Sequence, residues 1–213
     1  QNKPFDTTTL QYTVVTYENR KLHFENNTAY LLNNSGTNLN EDGQLLEWEK
    51  ELEKFGKLRP GISQIRLRKS TDPGDKDDDV IGRLYEHATD PNGLIVELDE
   101  STLPSNTLTA VDGIINPAKN YPGDGTVPVA TLGQRYILLQ DMPVTAYWTN
   151  TIAKKYDIVE YNGVSWTVSF DSSTTDKQYV TNIASNDHLE WNGTNWVNSV
   201  EGIYQAGYWR LYL

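Results

Sequence analysis

Apolar and polar residues alternate with period two along much of the chain, the pattern of strands that bury one face. Thr8–Tyr17 is rich in β-branched and aromatic residues, Glu18–Lys21 can turn, and Leu22–Leu32 is extended again. Ser63–Lys69 alternates cleanly, and Val80–Tyr85 and Leu94–Leu98 read as short strands separated by the turn Asp90-Pro91-Asn92-Gly93. Gln134–Leu139, Asp157–Phe170, His188–Ser199 and Gly207–Leu213 complete about ten predicted strands. One segment has a helical period instead. Leu45, Trp48, Leu52 and Phe55 fall on one face among Glu and Lys, which predicts a helix over about residues 44–57, stopped at Gly56 and Pro60-Gly61.

Two of the strand segments are copies of one design. Asp157–Phe170 and His188–Ser199 each place an aromatic residue before Asn-Gly, and a Trp three residues after the Gly. Asn-Gly between alternating apolar runs predicts a hairpin with a type I′ turn, which needs positive φ at both turn residues. The last strand should bury Trp209, Leu211 and Leu213 on one face, with Tyr208, Arg210 and Tyr212 on the other. Completing its own sheet is expected; left exposed, it would be an edge open to association.

The predicted fold is therefore mainly β: antiparallel sheets, β-sandwich-like, with hairpin repeats and one short helix. Residues 104–131 carry four Pro with Gly between them and read as ordered loop. They suggest a division into residues 1–104 and 105–213, with a single continuous domain as the alternative. Ser70–Asp79 holds turn-formers and charges and reads as a solvated surface loop.

Composition narrows the function. A net charge of -11 and pI near 4.7 argue against binding nucleic acid. No apolar run approaches the roughly 20 residues of a spanning helix, so no membrane association is expected. Cysteine is absent, which excludes disulfides and thiolate sites. The first residue is Gln, as after leader removal or in a fragment of a longer chain.

Gly133–Leu139, Ala146-Tyr147-Trp148, Ala153 and Asp157–Val168 together resemble a module recurrent in tail-fibre and tail-associated virion proteins of tailed bacteriophages. The likeness covers about residues 126–170 and extends toward 213, leaving the first half unexplained. The closing Glu201–Leu211 is similar to virion proteins of contractile-tailed phages. The resemblance implies a structural component of the virion, in the tail, the baseplate or a capsid-associated position. Its partners would be other virion proteins and further copies of itself. It implies no catalytic residue.

Candidate chemistry is sparse. Asn38, Asn40, Asp42 and Glu49 match ligand positions 1, 3, 5 and 12 of an EF-hand calcium loop, with Gly43 at position 6. Position 1 lacks its carboxylate and no helix precedes the loop, so the competing reading is a turn that caps the following helix. Calcium is the one candidate cofactor. The run Asp72, Asp75, Asp77, Asp78 and Asp79 reads first as a solvated acidic loop and second as a weak calcium site. Trp166, Trp191 and Trp196, with Trp148 and Tyr161, suit stacking on sugar faces in an alternative carbohydrate-binding or adhesion module, although aromatic packing in a β-core is the first expectation. His87 and His188 fall inside plausible strands or turns, His23 sits on a strand with no acidic or hydroxyl partner at an informative spacing, and no enzyme activity is expected.

Overall fold

The computed structural model describes residues 12–68 and 79–213. These divide into two compact units, one formed by the chain up to Leu103 together with Val200–Leu213, the other by Pro104–Ser199. The first crossing falls one residue from the predicted boundary. The second was not predicted: the last fourteen residues return to the first unit, so the second is an insertion.

The chain is mainly β, antiparallel and β-sandwich-like, with one short helix. Unit 1 contains β1 (Val14–Val15), β2 (Lys21–Glu25), β3 (Thr28–Leu32), β4 (Gln64–Arg68), β5 (Asp79–Glu86) and β6 (Gly93–Leu98). Unit 2 follows with β7 (Gly113–Ile115), β8 (Arg135–Leu138), β9 (Ile158–Tyr161), β10 (Trp166–Phe170), β11 (Gln178–Asn182), β12 (Asp187–Trp191) and β13 (Trp196–Asn198). β14 (Gly202–Tyr204) and β15 (Trp209–Tyr212) belong to unit 1 again.

Unit 1 is one antiparallel sheet of eight strands in the order β1-β15-β4-β5-β6-β3-β2-β14. β14 and β15 are consecutive in sequence yet six strand spacings apart, about 29 Å if the sheet were flat. The connecting residues 205–208 span at most about 18 Å, so the sheet must curl around its apolar face without closing. Leu22, Phe24, Leu31, Ile65, Leu67, Leu84, Trp209 and Leu211 fill the concave side, where Trp48 and Leu52 of the helix and Tyr17 also pack. The C-terminal strand is ordered as predicted and is interior, paired with β1 on one side and β4 on the other.

The helix itself is shorter than predicted, α1 (Trp48–Leu52). Residues before it are held in a hairpin by a bridge between Leu39 and Leu45, which turns Leu46 rather than Leu45 into the core. Glu47 at its N-cap makes no side-chain cap, and the Gly56 N–H closes the end on Leu52 O at 3.1 Å. Leu22–Leu32, read as one extended segment, is two strands. Asn26 and Asn27 sit at φ +50° and +55° between paired Glu25 and Thr28, so the two-residue turn with positive φ at both positions is here.

Asp79 is the one acidic-run residue within the described set, and it departs from the loop reading. It starts β5 opposite Arg68 and is buried, its carboxylate meeting Arg210 and lying 3.9 Å from Arg68 Nε. The remainder of the run, Asp72, Asp75, Asp77 and Asp78, lies outside the described residues, as do Thr8–Gln11 and Lys69 of the predicted strands.

In unit 2 the four-stranded sheet runs β10-β9-β8-β7, with β7 and β8 parallel and the other pairs antiparallel. The three-stranded sheet β11-β12-β13 is antiparallel. Ile137 and Ile158 on one face pack with Val180, Leu189 and Trp191 of the smaller sheet. Tyr136, Leu138 and Val159 on the other face pack with Trp148, Met142 and Val127 from loops. Being covered on both faces explains why Tyr136, Ile137 and Leu138 of β8 are apolar in succession. A register shift between Val168 and Phe170 moves Phe170 out of the cluster of Trp166 into that of Trp191.

The two repeats are twins. Tyr161 pairs with Trp166 at 5.4 Å and 49°, and Trp191 with Trp196 at 5.5 Å and 52°. Their loops are four residues long rather than type I′: Asn162 and Asn192 keep negative φ, and each side-chain oxygen accepts from the amides two and three residues ahead. Only the glycines are left-handed, Gly163 at +94° and Gly193 at +92°. A Cβ at Gly163 meets only Leu132 Cδ1 at 3.6 Å, whereas at Gly193 it meets the Thr175 carbonyl at 3.2 Å. Gly163→Val should cost about 1–3 kcal/mol from strain, and Gly193→Val more, by the added clash. Equal melting temperatures for both variants and the parent would refute this assignment.

Candidate interaction surface

At one end of unit 2 the tip of the β9–β10 hairpin projects. Asn162 Oδ1 accepts from Val164 N and Ser165 N at 3.0 and 2.9 Å, which leaves the Val164 side chain 82% exposed. The turn at 131–134 lies beside it: Gly133 N donates to Tyr161 O at 2.8 Å, and Leu132, itself 76% exposed, flanks Gly163. Asp124 organises the preceding loop. Its carboxylate accepts from Thr126 N and Val127 N at 2.7 Å and from Tyr121 N at 3.1 Å, and these bonds, Val127's first, hold its carboxyl below the ordinary range. The clip sets Tyr121 against Tyr147, with ring centroids 4.1 Å apart and both residues exposed.

Tyr147 is presented by a tight turn with Thr149 and Asn150 at φ +52° and +55°. Thr149 Oγ1 accepts from Trp166 N, and Thr151 Oγ1 donates to Trp166 O. The turn thus caps the edge of β10, buries Trp148 and leaves Tyr147 and Ile152 outward.

The seven most exposed large hydrophobic residues described all belong to unit 2: Val164, Ile152, Leu132, Val129, Val144, Ile183 and Tyr147. Segments 125–134, 142–153 and 161–170 contain no Asp, Glu, Lys or Arg, in a chain where these make up 22%. Exposed apolar side chains in charge-depleted loops are the composition of a protein-contact surface. That depletion is readable from sequence and is the signal that motif reasoning passed over.

The predicted glycan residues are placed differently. Trp166 and Trp191 are 2% and 1% exposed and Trp148 is fully buried, so these rings serve as core and cannot offer a face to a sugar. Trp196 is half-buried, donates to Tyr156 O at 2.9 Å and packs on Phe170. Tyr161 is partly buried against Trp166.

The calcium residues form a hairpin rather than an EF-hand loop. Asn40 Oδ1 accepts from Asp42 N and Gln44 N at 3.0 and 2.8 Å, and Gln44 O accepts from Asn40 N at 2.7 Å. Asn38 accepts from Leu46 N through its backbone, and Glu49 is exposed on α1. One expected ligand oxygen, Asn40 Oδ1, is thus engaged by two backbone amides, and no group of three or more His, Asp or Glu suited to a metal occurs among the described residues. His23 lies 3.5 Å from Glu25, and His87 Nδ1 accepts from Thr89 N and Asp90 N to shape its turn. Among the described residues no helix is long and apolar enough to cross a membrane.

No protein-family model matches the chain, and no curated protein or solved structure is found to be similar to it.

Proposed function

We propose that the protein is a structural component of a tailed-phage virion, working through protein contacts rather than turnover, and that the charge-free loop surface of unit 2 makes one of those contacts. The observation that carries the reading is the concentration of exposed Val164, Leu132, Tyr147 and Ile152 in segments without charge. The likeness of residues 126–170 to tail-associated virion modules supports it, because the same residues build this surface. Neighbouring virion proteins and further copies of the chain are the partners proposed.

Leu132→Glu combined with Val164→Glu tests this. Both side chains are exposed, so folding should be kept, whereas a buried carboxylate at an interface core is strongly disfavoured. The double variant should be excluded from assembled particles, by mass spectrometry of purified virions, and should lose any self-association seen in sedimentation. Normal incorporation of the variant, or absence of the parent from particles, would overturn the reading.

One observation favours a second reading, a carbohydrate-binding module. The stacked Tyr121–Tyr147 pair is exposed and uncharged, as a sugar platform would be. Glycan binding lost in Tyr147→Ala, with the fold retained, would support that module over the virion role.

A further inference from the structure

The uncharged loops of unit 2 form one continuous patch. A Cβ placed at Gly163 would lie 3.6 Å from Leu132 Cδ1, Met142 N donates to Ala153 O at 2.9 Å, and Thr149 and Thr151 bind the two backbone groups of Trp166. Tyr147, on the same turn as Thr149, stacks on Tyr121. In segments 125–134, 142–153 and 161–170, 19 of 32 residues are exposed, close to the roughly 20–30 residues that each side of a standard interface contributes. The side chains they expose are apolar, hydroxyl or amide. Asp124, in the loop beside them, spends its carboxylate on three backbone amides.

We propose, resting on the reading of these loops as a contact surface, that their partner is a second copy of the chain, the two patches meeting face to face about a two-fold axis. In such a contact a residue near the axis meets its own copy, so any charge there meets its like. The three segments present none. Each copy carries a net charge of -11, so approach over the charged surfaces elsewhere brings like charges together. A foreign partner of opposite charge would be drawn to those surfaces and find nothing here to pair with. Interfaces between identical chains are also the more apolar class. Strand addition does not compete, because the outward N–H and C=O of Trp166 on β10 are already taken by Thr149 and Thr151, and the contact is made by side chains.

Like-charged copies joined through an uncharged patch have a definite salt signature. Screening shortens the range of their repulsion from about 10 Å at about 0.1 M salt to about 3 Å at about 1 M, and the patch holds no ion pair to be weakened. Self-association should therefore tighten as salt rises, the reverse of a contact held by opposite charges.

Sedimentation velocity of the full chain at about 0.1 and about 1 M salt tests this. The sedimentation coefficient of the parent should rise with loading concentration, and should do so at lower concentration in the higher salt. Leu132→Glu with Val164→Glu should abolish the rise at both salts. Val14→Glu with Ile203→Glu, which adds the same two charges at exposed positions of unit 1, should keep it. A parent that stays monomeric up to about 1 mM, or one whose association weakens in salt, would overturn the proposal, and the parent alone decides this if a variant fails to fold. Association kept by the patch variant, or lost equally in the unit 1 variant, would overturn it too. A monomeric parent whose patch variant is still excluded from particles removes the self-pairing and leaves the virion reading; a self-associating parent absent from particles does the reverse.

Discussion

Trp209→Ala is expected to destabilise unit 1 by about 3–5 kcal/mol, the usual cost of emptying a buried tryptophan site. Trp209 is 1% exposed and lies on β15 in the core of unit 1. It stacks on Tyr17 at 5.3 Å, meets Trp48 edge-on at 6.2 Å, and donates its indole N–H to Arg20 O at 3.3 Å. The same substitution therefore removes ring contacts with Tyr17 and Trp48 and leaves the part-buried Arg20 carbonyl without this donor. Domains are commonly stable by only about 5–15 kcal/mol, so a loss of this size should shift the urea midpoint of unit 1 far down. Deleting residues 207–213 should be worse, since β15 is paired on both sides and its loss breaks the sheet between β1 and β4. A parent-like midpoint for Trp209→Ala would mean the strand is not part of the unit 1 core. Unit 2 holds separate clusters around Trp166 and Trp191, and its own transition should be retained.

That strand was legible in the sequence because period-two alternation ends in Trp209, Leu211 and Leu213, and nothing non-local is needed to read it. β8 was equally legible, from its apolar run Tyr136–Leu139, and the twin hairpins from their repeated aromatic and Asn-Gly positions. What was not legible depends on contacts distant in sequence. The four-residue loops arise because Asn162 and Asn192 spend their side chains on backbone amides, an option that competes with the type I′ turn the dipeptide suggests. The helix lost its first turn to a bridge between Leu39 and Leu45, a pairing invisible to helical periodicity. β11 carries mixed polar residues, and only its pairing with β12 and the backbone bonds of residues 107–111 to its outer edge define it. Core packing, the first expectation for the tryptophans, is what Trp148, Trp166 and Trp191 do, and the alternative of a sugar platform is not formed by them. An aromatic residue at a hairpin position faces a core or solvent according to the layers above it, and both faces of the four-stranded sheet are covered.

Asp79→Ala is the other substitution expected to have a large effect, about 3–5 kcal/mol, because it removes one partner of a buried ion pair. The Asp79 carboxylate is 3% accessible and the Arg210 guanidinium that meets it is 11% accessible. Arg68, on the neighbouring strand, has its Nε 3.9 Å from the other carboxylate oxygen. These residues join β4, β5 and β15 on the face of the sheet opposite the apolar core, where Arg66 and Arg210 lie over the ring of Tyr212 at 4.3 and 5.7 Å. Alanine leaves the Arg210 charge desolvated and without its carboxylate, which costs more than the pair itself contributes. The double variant Asp79→Leu with Arg210→Leu should therefore recover much of the loss, a coupling that a cycle of urea denaturations measures. Screening separates this pair from a surface one: raising the salt to about 1 M should narrow the gap between parent and Asp79→Ala only slightly, since buried charges are poorly screened. A gap that vanishes in salt, or a double variant as unstable as the two single ones added together, would show that Asp79 and Arg210 act independently.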